Sequence, residues 1–185
     1  MFIQTETTPN PASLKFLPGR AVVEGAALEF TDPDSAERQS PLAGRLFAVE
    51  GVRGVFLGND FITVTKDEQE EWFALKPAVL GAIMEHFLSG DPVAVAGGEA
   101  SRPTHAPEDD AIVQQIVELI DTRVRPAVAQ DGGDISFHGF ERGVVYLNLR
   151  GSCSGCPSSV VTLKNGIENL LRYYVPEVVE VRPVA

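Results

Sequence analysis

The sequence predicts an α+β fold, laid out as two small α+β domains joined by a flexible linker. Three observations carry this expectation. The 185 residues fit one large domain or two small ones. Strand-like and helix-like periodicities are mixed, without regular βα alternation, in both halves of the chain. Between the halves, residues 91–106 hold Asp91-Pro92, a run of small residues, Gly97-Gly98 and a further proline at Pro103, a composition unable to build a core. The expected domains are therefore 1–90 and 107–185, with 91–106 as the linker.

In the first half, Phe2 to Glu6 reads as a strand, and Thr8-Pro9-Asn10-Pro11 breaks it. Leu14 to Leu17 is a second strand, ended by Pro18-Gly19. Pro41 to Val49 reads as a short helix with proline tolerated in its first turn. Val52 to Leu57 and Phe61 to Thr65 flank Gly58-Asn59-Asp60, a hairpin signal. Trp72, Leu75, Val79, Ile83 and Phe87 then recur at helical spacing, with Pro77 expected near that helix's start.

In the second half, Ile112, Ile116, Leu119 and Ile120 mark an amphipathic helix. Glu108, Asp109 and Asp110 stand at its N-terminal end, where the helix dipole favours anions, and Pro126 is expected at or just past its end. Asp131-Gly132-Gly133-Asp134 reads as a turn rather than as ligands for a hard cation. Ile135 to Phe137 and Val144 to Leu149 read as strands around a turn at Gly139 to Gly143. A helix opens at Pro157 and stops before Pro176, and Val178 to Val181 is a final strand. Gly166, inside that helix, reads as a core contact; Lys164 reads as solvated, and Trp72 as a core anchor.

The formal net charge is −11, with 8 basic and 15 acidic residues up to residue 106 and 7 and 11 after it. Neither half hides the basic face that nucleic acid or an anionic membrane surface would require. No apolar run approaches bilayer-spanning length. The start, Met1-Phe2-Ile3-Gln4, has no basic region followed by an apolar one, so the expectation is a soluble protein of a bacterial cytoplasm. An initiating Met1 counts against a processed mitochondrial form.

The chain's two cysteines sit three apart, as Cys153-Ser154-Gly155-Cys156, between a strand-like and a helix-like run. Gly151 and Gly155 let the backbone adopt positive φ and approach a bound group. A helix N-terminus supplies unpaired N–H groups and the positive dipole end, which favour the thiolate that ligates metal. On these residues several chemistries stay open: buried packing, a thioredoxin-like dithiol, zinc completed by a histidine, or half of an iron–sulfur site. A dithiol motif usually has an aromatic residue before its first cysteine, where this chain has Ser152. His86, His105 and His138 show no ligand spacing to the cysteines.

The stretch from Gly151 to Glu168, GSCSGCPSSVVTLKNGIE, with Asp131 to Ile135 upstream, resembles the C-terminal domain of NifU found in Nfu-type iron–sulfur cluster carriers. Met1 to Pro11, Ser40 to Ala43, Asp60 to Lys66 and Trp72 to Pro77 resemble the N-terminal domain of the Nfu proteins. The resemblance spans the chain apart from the linker. It implies a labile 4Fe–4S cluster, received from an upstream assembly scaffold and passed to apo iron–sulfur proteins, with Cys153 and Cys156 as its ligands and no cofactor on the N-terminal domain. No enzymatic constellation is visible. Four thiolates hold such a cluster and one chain supplies two, so the cluster is expected to be shared between two chains in a homodimer. The other functional reading is a thiol–disulfide oxidoreductase using the same C-x-x-C, and a third is a structural zinc module.

Overall fold

A computed structural model of the chain describes residues 1–95, 104–152 and 157–184. The chain divides into two compact units, Met1–Glu99 and Ala100–Ala185, each mixing helices with a sheet. The α+β expectation holds for both.

The described residues of unit 1 form a five-stranded antiparallel sheet in the order β1-β2-β5-β4-β3. Its strands are β1 (Gln4–Thr7), β2 (Ser13–Leu17), β3 (Leu28–Phe30), β4 (Val52–Leu57) and β5 (Ile62–Lys66). Three helices accompany it: α1 (Pro33–Gln39), α2 (Pro41–Phe47) and α3 (Trp72–Ser89). Each short helix starts on a side-chain cap followed by proline. Asp32 accepts the Ser35 N–H at 2.9 Å, and the Ser40 hydroxyl accepts the Ala43 N–H at 3.1 Å. Phe16, Leu42, Leu46, Ile62, Val79 and Ile83 pack in the core. Trp72 anchors one side of it, edge-on to Phe16 with Nε1 donating to the Pro11 carbonyl at 3.2 Å.

The sequence carried no legible signal for β3 or α1. The strand is three residues long, and α1 buries only Ala36, so neither shows an apolar period. Pro77 lies in the second turn of α3, which opens at Trp72, and there it forgoes the backbone bond to the Phe73 carbonyl. Residues 91–95, read as linker, remain tied to unit 1. The Val95 N–H donates to the Gln39 carbonyl at 2.8 Å, and the Ser40 hydroxyl donates to the Val93 carbonyl.

Unit 2 opens on β6 (Thr104–His105), also read as linker, whose two residues pair parallel with β7. The described strands follow the order β6-β7-β8-β9, with β7 (Gly133–Glu141), β8 (Val144–Gly151) and β9 (Glu180–Val184). β7 and β8 are antiparallel, whereas β8 and β9 are parallel and connected through α6 (Pro157–Tyr174). Ile116, Ile120, Ile135, Leu147, Leu171 and Val181 belong to the core of this unit.

Two expectations in unit 2 are corrected. Pro126 does not end the first helix. Asp110–Leu119 (α4) passes through a π-helical segment, Ile120–Val124, into α5 (Arg125–Gln130), and Pro126 lies in the first turn of α5. Ile116, Ile120, Val124 and Val128 are all buried, at a spacing of four. A 3.6-residue helix would rotate such a row by roughly 40° per step, and the wider π turn offsets that drift while accommodating proline. The hairpin turn is also tighter than expected. β7 runs through Gly139 to Glu141, and the turn is Arg142-Gly143 alone, with φ of 51° and 80°. A register shift between Phe137 and Gly139 leaves His138 as an extra residue in β7.

Candidate functional site

Cys153 and Cys156, the predicted site residues, lie outside the described residues. The elements that lead into and out of their loop are described. β8 enters it through Gly151 and Ser152, and α6, 18 residues long, leaves it from Pro157. Gly151 has φ 71°, a conformation L side chains rarely adopt, so the strand turns aside there. Opposite it on β7 stands Gly133, preceded by Gly132 with φ 80°.

Ser152 is 3% exposed. Its N–H donates to the Gly132 carbonyl at 3.4 Å, and its hydroxyl donates to the Asp131 carbonyl. The turn read at Asp131 to Asp134 is confined to Asp131-Gly132, because Gly133 and Asp134 already pair with β8 as the first residues of β7. The Asp131 and Gly132 amides close onto the Val128 and Ala129 carbonyls at 3.1 Å each, which ends α5. Asp134 accepts both Nε and Nη2 of Arg125, at 2.9 and 3.2 Å, and Asp121 takes a third bond at 3.3 Å. The Asp134 carboxylate, followed by Asp121, holds the Arg125 guanidinium above its usual pKa.

The other residues weighed from sequence are dispersed. Lys164 is not merely solvated: it reaches Glu180 at 3.7 Å. Gly166 is exposed, and a Cβ there would meet nothing within 4 Å among the described residues, so it makes neither a core contact nor a close approach to any of them. His86 is buried in α3 of unit 1. His105 bonds Asp110 at 2.6 Å and, with His138, lines a cleft of about 940 Å³ that includes the Arg142-Gly143 turn. That turn is at the opposite end of β8 from Gly151, roughly 25 Å away at strand rise. Among the described residues, no group of three or more His, Cys, Asp or Glu is placed to hold a metal ion. No described helix is long and apolar enough to cross a membrane. Ser152 was not singled out from sequence, because its partners Gly132 and Asp131 lie 20 and 21 residues back in the chain.

Comparison with known proteins places these features in context. Residues 3–90 match the family described as scaffold protein Nfu/NifU N terminal, and residues 116–182 match the NifU-like domain. A human protein named NFU1 iron-sulfur cluster scaffold homolog, mitochondrial, is 53% identical over all of this chain and 72% of its own length. The Drosophila virilis protein of the same name is also 53% identical, and this chain spans 62% of it. Among solved structures, a NifU-like protein from Saccharomyces cerevisiae aligns over 52% of this chain and 87% of its own, at 29% identity and a TM-score of 0.46. The expectation of a bacterial cytoplasm is overturned by these relatives, whose names are mitochondrial. It rested on the first residues of the chain, and the address of a protein does not follow from where a given sequence begins. With both domain types matched in order and this level of identity across the chain, the protein belongs to the Nfu/NifU family of iron–sulfur cluster scaffold proteins.

Proposed function

We propose that this chain carries a 4Fe–4S cluster on Cys153 and Cys156 and delivers it to apo-proteins. The cluster is cargo, and the chain's task is to hold it and let it go. The observation that carries the reading is the setting of the C-x-x-C. Both cysteines of the chain fall between a strand end with an αL glycine and the N-terminal end of an 18-residue helix. Such a helix end favours thiolate over thiol and offers N–H donors to cluster sulfur. Four thiolates are needed and one chain has two, so two copies share the cluster across a two-fold axis. Release proceeds by exchange, as incoming recipient thiolates replace Cys153 and Cys156 one bond at a time. No general acid, base or nucleophile is required, and the role is not enzymatic.

Residues 107–185 form the cluster-carrying domain in this reading, residues 1–90 a recognition domain for donors or recipients, and 91–106 the connection between them. The mitochondrial location named for the relatives extends to this chain.

Replacement of either cysteine by serine tests the ligand assignment. Serine is nearly isosteric but lacks the soft thiolate, so Cys153→Ser and Cys156→Ser proteins should fold and fail to retain iron and sulfide after anaerobic reconstitution. A full cluster on either variant would place the ligands elsewhere.

A further inference from the structure

We propose that residues 91–95 form an acid-released strap across the end of unit 1, and that the buried ring of His86 beneath it is the trigger. The inference concerns unit 1 alone and stands apart from the cluster reading. The strap is tied down along its length. Arg45 of α2 pairs with Asp91 at 2.9 Å, and the Ser89 hydroxyl donates to the same carboxylate at 2.8 Å. The Ser40 hydroxyl donates to the Val93 carbonyl, and the Val95 N–H donates to the Gln39 carbonyl at 2.8 Å. Val93 packs against the core, whereas Asp91, Pro92 and Val95 are exposed. A segment held by polar bonds and one apolar side chain belongs to the low-stability end of a fold, where local opening precedes global unfolding.

His86 closes the row of buried residues on α3 that begins with Leu75, Val79 and Ile83. Its side chain is fully buried, and neither ring nitrogen has a hydrogen-bond partner among the described residues. Charged groups approach it from each side. Arg45 comes from α2 and also pairs with Glu85 of α3 at 3.1 Å. Asp91 comes from the strap. Arg20, between β2 and β3, lies over the Phe87 ring at 4.8 Å, and Phe87 is edge-on to His86 at 5.6 Å. Burial first and Arg45 second disfavour the imidazolium, and together they outweigh Asp91. Lifting the strap takes Asp91 away and admits water, so the ring then binds a proton near its ordinary pKa of about 6.5. The closed form excludes that proton. The open form therefore gains on the closed one as pH falls through 6.5, by up to roughly tenfold between pH 7.5 and 5.5. Asp91 does not titrate in this window, because Ser89 first and Arg45 second hold its carboxyl below the usual range. Release adds five residues to the connection between the units, roughly 17 Å of reach.

The test is amide hydrogen–deuterium exchange of the full chain by NMR at pH 7.5 and 5.5, expressed as protection factors corrected for intrinsic exchange. The Val95 amide reads the strap. The Val64 amide, on a strand paired with Leu14 on one side and Val55 on the other, reads unfolding of the whole unit. Val95 should be less protected than Val64 at both pH values, and its protection should fall roughly three- to tenfold from pH 7.5 to 5.5. In His86→Leu, which removes the titrating ring, the fall at Val95 should shrink to less than about twofold. Protection of Val95 equal to that of Val64 would mean that the strap opens only with the unit, and would overturn the proposal. So would protection of Val95 that ignores pH, or an undiminished fall in His86→Leu. The first two of these outcomes are read on the parent protein alone, so the proposal stays testable should the variant fail to fold.

Discussion

At the scale of single residues, His86 shows how burial controls charge. Its imidazole is fully buried in the core side of α3, and neither ring nitrogen has a hydrogen-bond partner among the described residues. Desolvation first, and the nearby Arg45 guanidinium second, hold its pKa below the usual histidine value. The folded state therefore keeps His86 neutral, whereas the unfolded chain binds a proton near pH 6.5. Its contribution to stability is complete above that pH and is lost as the pH falls toward the depressed folded value. Trp72, the only tryptophan, sits against Phe16 and reports on unit 1 alone. The urea midpoint followed by its fluorescence should fall between pH 7.5 and 5.5, and His86→Leu should flatten most of that fall. An unchanged slope in the variant would assign the proton uptake to another group. The lowered carboxyls of Asp67, bonded to the Gln69 amide and Arg53, and of Asp91, bonded to Ser89 and Arg45, act in a more acidic window.

At the scale of elements, two backbone devices shape unit 2. The π segment keeps Ile116, Ile120, Val124 and Val128 on one face past a proline. The Arg142-Gly143 turn sends β8 back along β7 with two residues in the left-handed region. Gly143 is also approached closely by the segment that follows α6. A Cβ there would lie 2.7 Å from Val179 Cγ2 and 3.0 Å from the Glu177 carbonyl, at φ +80°. Gly143→Ala thus combines backbone strain with a clash against backbone that cannot easily retreat. A loss of about 2–3 kcal/mol is expected in chemical denaturation of unit 2. Its measurement by far-UV circular dichroism of the full chain checks this, and a loss under about 0.5 kcal/mol would mean that the turn relaxes at no cost.

At the scale of the whole molecule, the proposed sharing of one cluster between two chains couples association to metal. A site built from two halves stabilises the dimer by its own binding free energy and contributes nothing when empty. The cluster-free protein should then elute as a monomer in gel filtration. The reconstituted protein should elute as a dimer with iron and sulfide for one 4Fe–4S cluster per two chains. A full cluster on a monomer, without added thiol, would overturn the shared arrangement. The acidic charge of −11 makes close approach of two copies unfavourable in the absence of a compensating bond, which sharpens the contrast between the two forms.

Sequence alone determined the α+β class, the division into two units, the long helices α3 and α6, the β4–β5 hairpin and the family. These rest on local quantities: apolar period, turn chemistry and motif spacing all act within a few residues and are legible in one dimension. It also marked a turn at Asp131-Gly132, though not that Gly133 and Asp134 already belong to β7, and Trp72 as an anchor. Tertiary structure decided what depends on partners distant in the chain. The two-residue strand β6 exists only because β7 offers it an edge, and the three-residue β3 only because β4 does. Pro126 is tolerated because a row of buried side chains rewards continuing the helix through it. The exposed Gly166 and the Lys164–Glu180 pair follow from how α6 lies on its sheet. Ser152 belongs to the same class. Its neighbour in sequence is the cysteine motif, but its hydrogen-bond partners are 20 and 21 residues back, at the end of another helix. A contact of that kind leaves no period and no spacing for a sequence to display.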